Sequence, residues 1–358
     1  MFDTLLIGTS GLLGHAKGLR VVGNNLSNVN TAGFKSSQLQ FGNLFENNAT
    51  NNKTVISKTL TNSFGTGLDT LGSKINFQAG LEQRTGSPLN VIINGNGFFV
   101  VKRDGQELYT RSGDFRFDDE GVLVTTSGEK VQSLTGSTLA EISVAGLTRN
   151  PAKTTTEVKL GGNLAYVAPP AVTGIDLHDA NGTTTQHSIE FAPANGDAST
   201  QPTSYNVTLK RGATVLGTTA MAVVSGFPTQ TTVVIGTVTI DVAAVRVTNT
   251  PGAAGVSMIS QNGYATGLLR DQTIGNDGVL SLNYSNGQVV KGPTLAMANF
   301  NTDQDLEQLS GSFFTKKAGV ATQYGQAKDG YFGSLANGRL EGSNVDLAAE
   351  FGNLILMQ

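Results

Sequence analysis

The stretch that decides the fold lies at the amino terminus, where residues 1–35 read MFDTLLIGTSGLLGHAKGLRVVGNNLSNVNTAGFK. Within it, Leu5, Leu12, Leu19 and Leu26 recur at an interval of seven residues. Leucines at this interval line one face of a helix and are typical of a coiled-coil seam. We therefore predict a helix over about the first thirty residues, with these four leucines as a self-assembly site. The alternative is an ordinary amphipathic helix that packs on its own domain.

The same predicted helix is rich in glycine, at Gly8, Gly11, Gly14, Gly18 and Gly23. Each glycine inside a helix costs roughly 1 kcal/mol of helix stability relative to alanine, so the isolated helix would be largely unformed. We expect the helix to become ordered when neighbouring chains bury its seam. Folding of the chain ends would then be coupled to assembly.

The composition argues against several classes of function. The net charge of the 358 residues is −3, and no cluster of Lys or Arg forms a stripe for phosphates, so we expect no nucleic-acid partner. No run of about 18 apolar residues is present, so we expect no membrane insertion. Cysteine is absent and only three histidines occur, without a zinc spacing. We predict a protein that is not an enzyme, with no catalytic residue, no metal and no cofactor.

Beyond the helix, short apolar runs alternate with turns. The runs Val91–Ile93 and Phe98–Val101, separated by Asn94–Gly97, are typical of a β-hairpin. Segments between residues 188 and 247 are rich in Val, Thr and Ile and are separated by Gly, Pro and Asn, which favours an antiparallel sandwich or barrel. We predict a mainly β protein with terminal α-helices. It would have two antiparallel β domains, the core one discontinuous and the second inserted into it, and an amino- and carboxy-terminal coiled-coil helical domain.

The predicted domain boundaries follow from these changes in texture. Residues 1–72 hold the helix and an Asn- and Gly-rich linker, and residues 340–358 begin a second helix. Residues 73–165 and 258–339 form the discontinuous core β domain. Residues 166–257 form the inserted outer β domain, which starts near the proline pair in Ala168–Ala171.

The carboxy-terminal helix is predicted from a capping pattern. Ser343 with Asp346 three residues later matches a capping box, and apolar residues from Leu347 to Ile355 follow at helical spacing. The helix would span about 15 residues, or ~22 Å at 1.5 Å per residue, before Gln358. Because the predicted amino-terminal helix is nearly twice as long, we expect the natural chain to continue with a longer second helix.

Two segments resemble the terminal motifs of bacterial flagellar rod and hook proteins. Residues 24–35, NNLSNVNTAGFK, are similar to the amino-terminal motif of that family, and residues 340–351, LEGSNVDLAAEF, to its carboxy-terminal motif. Residues 94–100, 110–115 and 121–124 resemble the family's core β domain. The resemblance assigns the amino-terminal motif to Asn24, Asn25, Leu26, Ser27, Asn28, Val29, Asn30, Thr31, Gly33 and Phe34. It assigns the carboxy-terminal motif to Leu340, Glu341, Ser343, Asn344, Val345, Asp346, Leu347 and Phe351.

The resemblance implies a structural subunit that polymerises with copies of itself into a tube. The terminal helices, from residues 1–72 and 340–358, would line the inner tube, with the core β domain outside them and the inserted domain at the surface. Within the family, the distal rod protein usually lacks an insertion of this size. The insertion at about residues 165–260 therefore favours the hook, the flexible joint that passes motor torque to the filament, over a rod subunit.

The same resemblance implies partners and a location. The partners would be other copies of the chain, the rod, hook-cap and hook–filament junction proteins, and the flagellar export apparatus. The location would be the hook and basal body of the bacterial flagellum, reached by type III export without a cleaved signal peptide. Both the missing signal features and the absence of cysteine fit such an exported protein.

A function of another class stays open, a secreted β-rich glycan-binding or hydrolytic module. Asp118 and Glu120 are a pair of carboxylates of the kind that glycosidases use. Carboxylates near turns are more often solvated than catalytic, and nothing in the sequence raises the pKa of one against the other. Loss of substrate turnover on Asp118→Asn would support this alternative.

Overall fold

The computed structural model describes residues 2–43, 67–165, 171–194, 202–248 and 255–358. Most of the predicted linker, and the prolines predicted to begin the inserted domain, lie outside these residues. Among the described residues strands predominate, and one α-helix lies near each chain end, which confirms the mainly β class with terminal helices. The chain divides into two compact units. Unit 1 comprises Met1–Ala145, Gln272–Leu282 and Val290–Gln358, and unit 2 comprises Gly146–Asp271 and Asn283–Val289.

The amino-terminal part of the chain supplies the first helix and ten strands. The helix ends where the side chains of Ser27 and Asn28 both donate to the carbonyl oxygen of Asn24, at 2.9 Å each, in place of a further helical turn. The elements are α1 (Phe2–Ser27), β1 (Ser37–Asn43), β2 (Leu68–Ile75), β3 (Glu82–Arg84), β4 (Val91–Asn94), β5 (Phe98–Arg103), β6 (Gln106–Thr110), β7 (Phe115–Phe117), β8 (Leu123–Thr125), β9 (Lys130–Thr135) and β10 (Thr138–Glu141).

The middle of the chain is entirely strand and turn where the structure describes it. Buried and exposed residues alternate along most of these strands, as expected for sheets with one buried face. The strands are β11 (Arg149–Asn150), β12 (Glu157–Ala165), β13 (Val172–His178), β14 (Thr184–Pro193), β15 (Ser204–Arg211), β16 (Thr214–Val224), β17 (Phe227–Pro228), β18 (Thr232–Ile235), β19 (Val238–Thr248) and β20 (Gly255–Gln261).

The last part of the chain adds nine strands, a single 3-10 turn at Asp303–Asp305 and the second helix. The elements are β21 (Gly267–Ile274), β22 (Val279–Tyr284), β23 (Val289–Thr294), β24 (Met297–Asn299), β25 (Leu306–Ser310), β26 (Phe313–Lys316), β27 (Gln323–Gly325), β28 (Ser334–Asn337), β29 (Arg339–Glu341) and α2 (Leu347–Met357).

Unit 1 is built on a ten-stranded sheet. Its path is β25–β26–β6–β5–β9–β8–β7, with β10 on β9, β24 on β5 and β27 on β24. Aromatic rings fill the adjoining core, where Phe98 meets Phe314 at 5.9 Å and Tyr109 meets Phe300 at 4.8 Å between ring centroids. This sheet therefore has an apolar core of its own.

Three two-stranded ribbons accompany the large sheet, namely β1–β2, β4–β28 and β3–β29. The predicted hairpin of residues 91–101 is wrong in its pairing. Its two strands form, but β4 pairs with β28 and β5 pairs with β6. Gly95 and Gly97, in the connection between β4 and β5, both have positive φ, at 111° and 116°. This connection leads the chain from the β4–β28 ribbon into the ten-stranded sheet.

Unit 2 is centred on two sheets, β13–β14–β15–β16–β17 and β18–β19–β12–β20. Their inner faces share one apolar core that includes Leu160, Tyr205 and Val242. The prediction of purely antiparallel pairing is wrong here, because β12 runs parallel to β19. β12 lies between β19 and β20, and because these two strands run in opposite directions, β12 can be antiparallel to only one of them, which is β20. A further sheet has the order β11–β21–β22–β23.

The observed units do not follow the predicted boundaries residue by residue. Residues 157–165, which the prediction assigned to the core domain, form β12 and pair with strands of unit 2. The four-part division with an inner-tube domain stays a prediction.

Candidate functional site

The predicted leucine seam is largely open to solvent in the single chain. Leu5 is 65% exposed and Leu12 is 73% exposed, whereas Leu19 and Leu26 are half-buried. Leu13, next to the seam, is 64% exposed. Such a row of exposed large apolar side chains along a helix is a candidate contact surface.

A different face of α1 packs against its own molecule. A Cβ added at Gly14 would lie 2.6 Å from Leu68 Cδ2, and one added at Gly18 would lie 2.5 Å from Met357 Sδ. At 3.6 residues per turn this face is about a third of a turn from the leucines. Its residues, all buried and three or four positions apart, are Gly14, Gly18, Val22 and Asn25.

The second helix is also mostly exposed on its apolar side. Among the described side chains of α2 none is buried, and Phe351, Ile355 and Leu356 are 54%, 72% and 81% exposed. Together with the open leucines of α1, these residues form what we call the apolar arm surface: Leu5, Leu12, Leu13, Phe351, Ile355 and Leu356.

Asn25 ties α1 to both β1 and α2. Its Nδ2 donates to the carbonyl oxygen of Ser37 at 2.8 Å and to Glu350 Oε1 at 2.7 Å, and its Oδ1 accepts from the Ser37 amide at 3.0 Å. Asn25 is only 1% exposed. Because a buried amide must find partners for its donors and acceptor, this arrangement fixes the rotation of α1 about its axis.

A buried ion pair joins the two family motifs. Lys35 Nζ lies 2.5 Å from Glu341 Oε1, and their side chains are 0% and 1% exposed. Lys35 Nζ also donates to the carbonyl oxygen of Gln78 at 2.7 Å, and the Gly80 amide donates to Glu341 Oε1 at 3.0 Å. Both charges are thus paired and hydrogen-bonded through Glu341 Oε1, whereas the buried Glu341 Oε2 has no hydrogen-bond partner among the described residues and faces Arg111.

The electrostatics of this pair are those of a closely packed interior. Burial lowers the pKa of Lys35 below its ordinary value, and the Glu341 carboxylate opposes that shift. Arg111 lies nearby, with Nη1 3.8 Å from Glu341 Oε2 and its guanidinium carbon 5.0 Å from the centre of the Phe98 ring. Burial lowers the pKa of Arg111 as well, but arginine stays protonated in proteins.

Close backbone contacts surround the ion pair. The Gly33 amide donates to the carbonyl oxygen of Glu341 at 2.7 Å. Gly33 has φ of 68°, and a Cβ there would lie 2.3 Å from the Ser112 amide nitrogen, so both conformation and space require glycine. Phe34 is 1% exposed.

The carboxy-terminal motif reaches the same place through Asn344. Its Oδ1 accepts from the Ser36 amide at 2.7 Å, and its Nδ2 donates to the carbonyl oxygens of Asn76 and Gln78 at 2.7 and 2.9 Å. The cap of α2 differs from the prediction, because Asp346 and not Ser343 is the N-cap residue. Asp346 accepts from the amides of Ala348 and Ala349, whereas Ser343 Oγ accepts from Val345 N in the preceding turn.

The structure therefore brings together parts of both motifs and leaves other parts at the surface. Asn25, Gly33, Phe34, Leu340 and Glu341 are buried, and Leu26, Asn28, Val29, Thr31, Ser343, Asn344 and Val345 are half-buried. The exposed motif residues are Asn24, Ser27, Asn30, Asp346, Leu347 and Phe351. The role of these residues in assembly stays a prediction.

The sequence reasoning missed the partners of this cluster. Lys35 was not among the predicted site residues, and neither were Gln78, Gly80 and Arg111. One signal was available, because Lys35 is the only charged residue of residues 24–35 and Glu341 is the first charged residue of the other motif. Gln78 and Gly80 contribute backbone atoms to the cluster, and the residue type does not indicate such a role.

The alternative carboxylate site has a structural role at Asp118. Its Oδ1 accepts from the amides of Glu120 and Val122 at 3.0 and 2.7 Å, which is the geometry of a turn. Within the described ranges, no group of three or more His, Asp or Glu side chains is arranged to hold a metal ion. In the same ranges, neither helix is long and apolar enough to cross a membrane.

Comparison with known proteins gives a consistent result. The family "Flagellar hook protein FlgE/F/G D1 domain" matches residues 92–165, and the family "Flagella basal body rod protein" matches residues 5–35. The flagellar hook protein FlgE of Salmonella typhimurium is 29% identical over 393 aligned residues, covering 98% of this chain and 92% of the relative. That of Escherichia coli is 29% identical with the same coverage, and that of Borreliella burgdorferi is 26% identical over 100% of this chain and 94% of the relative.

A solved structure is similar as well. The crystal structure of the Helicobacter pylori flagellar hook protein FlgE2 superposes with a TM-score of 0.52 over 72% of this chain and 100% of that one, at 13% identity. At this identity the likeness concerns the fold alone. With motifs at both ends, two matched families and relatives aligned over nearly the full length, the chain is similar to bacterial flagellar hook and rod proteins along almost its whole length.

Proposed function

We propose that the chain is a structural subunit of the bacterial flagellar hook, which polymerises with copies of itself into a flexible tube that transmits motor torque. Relatives that carry the name flagellar hook protein cover 98–100% of the chain. The geometry supports a polymer more than a catalyst. The buried polar cluster joins the two chain ends, and the terminal helices leave the apolar arm surface exposed.

The exposed leucine face of α1 is the observation that carries the proposal. Leu5, Leu12 and Leu13 are all at least 64% exposed, while the glycine face of the same helix is used within the molecule. Burial of a leucine side chain stabilises by about 1.5–3 kcal/mol, so three leucines per copy supply a substantial driving force when neighbours cover them. In a homopolymer this contribution repeats at every copy.

The proposed assembly is head-to-tail. A surface on one copy meets a different surface on the next copy, and such heterologous contacts generate open helical tubes. The apolar arm surface, formed by both terminal helices, would face the interior of the tube as a helical coiled-coil layer. The partners would be the other axial proteins of the flagellum and its export apparatus, and the subunit would reach the cell exterior without a cleaved signal peptide.

A rod subunit is the second candidate. The match of residues 5–35 to the family described as basal body rod protein favours it. Unit 2, with its own core, favours the hook. Immunogold labelling in the native bacterium separates the two, because a hook subunit lies outside the cell envelope and a rod subunit lies within it.

Leu12→Asp tests the proposed polymer. The folded monomer should be retained, because Leu12 is 73% exposed. Assembly should be lost at concentrations at which the wild type polymerises, since an unpaired carboxylate buried at each contact costs several kcal/mol. The measurements are electron microscopy of purified chains and swimming of a hook-deficient strain that carries the variant.

The matched control is Leu216→Asp, which makes the same replacement at a 44%-exposed leucine of unit 2. This control should assemble. Tubes and normal swimming with Leu12→Asp would contradict the proposal, and so would wild-type chains that form no tube under any condition.

A further inference from the structure

The sequence contains several asparagines that are followed directly by glycine. In this dipeptide the asparagine side chain is prone to lose ammonia spontaneously, because glycine has no Cβ to keep its backbone nitrogen away from that side chain. The dipeptides that the structure describes are Asn94–Gly95, Asn96–Gly97, Asn181–Gly182, Asn262–Gly263, Asn286–Gly287 and Asn337–Gly338, and a further one, Asn195–Gly196, lies outside the described residues.

The reaction needs only the chain itself and water. The glycine nitrogen attacks Cγ of the asparagine, so that a C–N bond forms and the Cγ–Nδ2 bond breaks. The amide proton of the glycine leaves with the Nδ2 group as ammonia, and a cyclic imide remains. Water then opens either C–N bond of the imide and gives aspartate or isoaspartate. Because the side chain and the glycine amide must both move, hydrogen bonds to either group slow the reaction.

The Asn337–Gly338 dipeptide is held by such hydrogen bonds. Nδ2 of Asn337 donates to the carbonyl oxygens of Pro88 and Ile274, at 3.2 and 2.5 Å. The Gly338 amide donates to the carbonyl oxygen of Asn90 at 2.8 Å. Both reacting groups are therefore engaged elsewhere in the fold.

Three other dipeptides are also restrained. Asn262 Oδ1 accepts from two backbone amides at 3.0 Å each, and Asn286 Nδ2 donates to the carbonyl oxygen of Ala265 at 2.8 Å. In the third, the Gly182 amide donates to the carbonyl oxygen of Asp179 at 3.1 Å. In each of them at least one reacting group must break a hydrogen bond before it can react.

The connection between β4 and β5 lacks these restraints. The side chains of Asn94 and Asn96 are exposed, and among the described residues they form no hydrogen bond. The amide of Gly95 donates no hydrogen bond within the described ranges either, and Gly95 is exposed, whereas Gly97 is buried. At Asn94 both reacting groups are thus free and open to water.

We propose that Asn94 is a site of spontaneous conversion to aspartate and isoaspartate in the folded protein. Asn94 lines a cavity of about 900 Å³ together with Arg111, Asp303 and Glu341, so the conversion adds a negative charge to a wall that already carries two carboxylates. In the isoaspartate form the backbone is longer by the Cβ atom, at the position where Asn94 pairs with Ser334. The proposal concerns the single chain and goes beyond the proposed function.

Peptide mapping by mass spectrometry tests the proposal on the full-length monomer during incubation in mildly alkaline buffer. The peptide with Asn94 should gain the mass difference between an amide and an acid roughly tenfold faster than the peptide with Asn337, because two side-chain hydrogen bonds at Asn337 must break first. The control is the same incubation of the chain unfolded in urea. There both peptides should convert at similar rates, since the hydrogen bonds of the fold are gone.

The variant Asn94→Gln separates Asn94 from Asn96, which lies in the same peptide. Glutamine would have to close a larger ring, so this peptide should lose most of its mass gain. An unchanged slow rate at Asn337 in the variant shows that it is folded. Equal rates at Asn94 and Asn337 in the folded wild type would overturn the proposal, and so would a mass gain that persists in Asn94→Gln.

The urea control decides whether the fold sets the rate. A difference between the two peptides that persists in urea would overturn the proposal, because the neighbouring sequence would then explain it. Since all samples are monomeric, none of these results depends on whether the protein forms a hook.

Discussion

Two neighbouring asparagines at the end of α1 have opposite environments. Asn25 is buried and bonds to β1 and α2, whereas Asn24 is exposed and its side chain accepts from Asn28, in the turn that follows the helix. The difference follows from the 100° between successive residues of a helix, which turns one amide inward and the next outward.

Asn25→Leu should destabilise the terminal region by about 2 kcal/mol. The change leaves the amide and carbonyl of Ser37 without their partner, and each unsatisfied buried polar group costs about 1–3 kcal/mol. The measurement is urea unfolding followed by a probe attached near α1. Asn24→Leu is the matched control and should lie within about 0.5 kcal/mol of wild type, as surface substitutions usually do. Equal effects of the two changes would contradict the role assigned to Asn25.

At the scale of single residues, the motif could be predicted from the sequence, but not which of its side chains are buried and which are exposed. It marked Asn24 and Asn25 alike, because both are asparagines in the same motif. Which amide is buried depends on the rotation of α1 relative to β1, which tertiary contacts decide. The same holds for Lys35, whose partner is 306 residues away.

The helix α1 uses two faces for two purposes. Its glycine face, at Gly14 and Gly18, allows β2 and α2 to approach closely, and its leucine face stays open. The glycines that weaken the isolated helix therefore also make room for α2. Gly8, Gly11 and Gly23 have no neighbour within 4 Å of an added Cβ.

Gly18→Leu should loosen α2. A side chain at this position would collide with Met357, whose Sδ lies 2.5 Å from the added Cβ. Overpacking typically costs 1–3 kcal/mol, so amide exchange in α2 should accelerate by roughly tenfold. Gly23→Leu is the control, because nothing lies within 4 Å of its Cβ, and exchange in α2 should stay at the wild-type rate. If the amides of α2 exchange at the same rate in both variants, α2 does not pack on the glycine face of α1.

Periodicity predicted the existence and extent of the helices better than their contacts. The seven-residue repeat predicted α1 within a few residues of its observed end at Ser27. It did not indicate that Gly14, Gly18 and Val22 form the internal contact, since apolar spacing shows that a face becomes buried but not by which partner. The capping pattern predicts the start of α2 at Ser343, but Ser and Asp are both good caps, and the chain uses the later one, Asp346.

At the scale of the whole molecule, the order of strands along the chain does not determine their partners. The glycine-rich turns predicted a β protein, and the structure confirms that class. The parallel pairing of β12 with β19 and the antiparallel pairing of β4 with the distant β28 both join strands that are separated by long stretches of chain. Such non-local pairings leave no periodic signal in either strand.

At the largest scale, the leucine face of α1 is exposed in the single chain, and we expect it to become buried only between copies. The absence of cysteine allows a direct test, because Leu12→Cys introduces a unique thiol. A thiol at this 73%-exposed position should react rapidly with a maleimide in the monomer.

The decisive measurement is the rate of maleimide labelling of Leu12→Cys in monomers and in assembled tubes, with the unfolded chain as the reference for full reactivity. We expect labelling near the reference rate in the monomer and strong protection in the tubes. Tubes that label as fast as the monomer, or a folded monomer that is already protected, would contradict it.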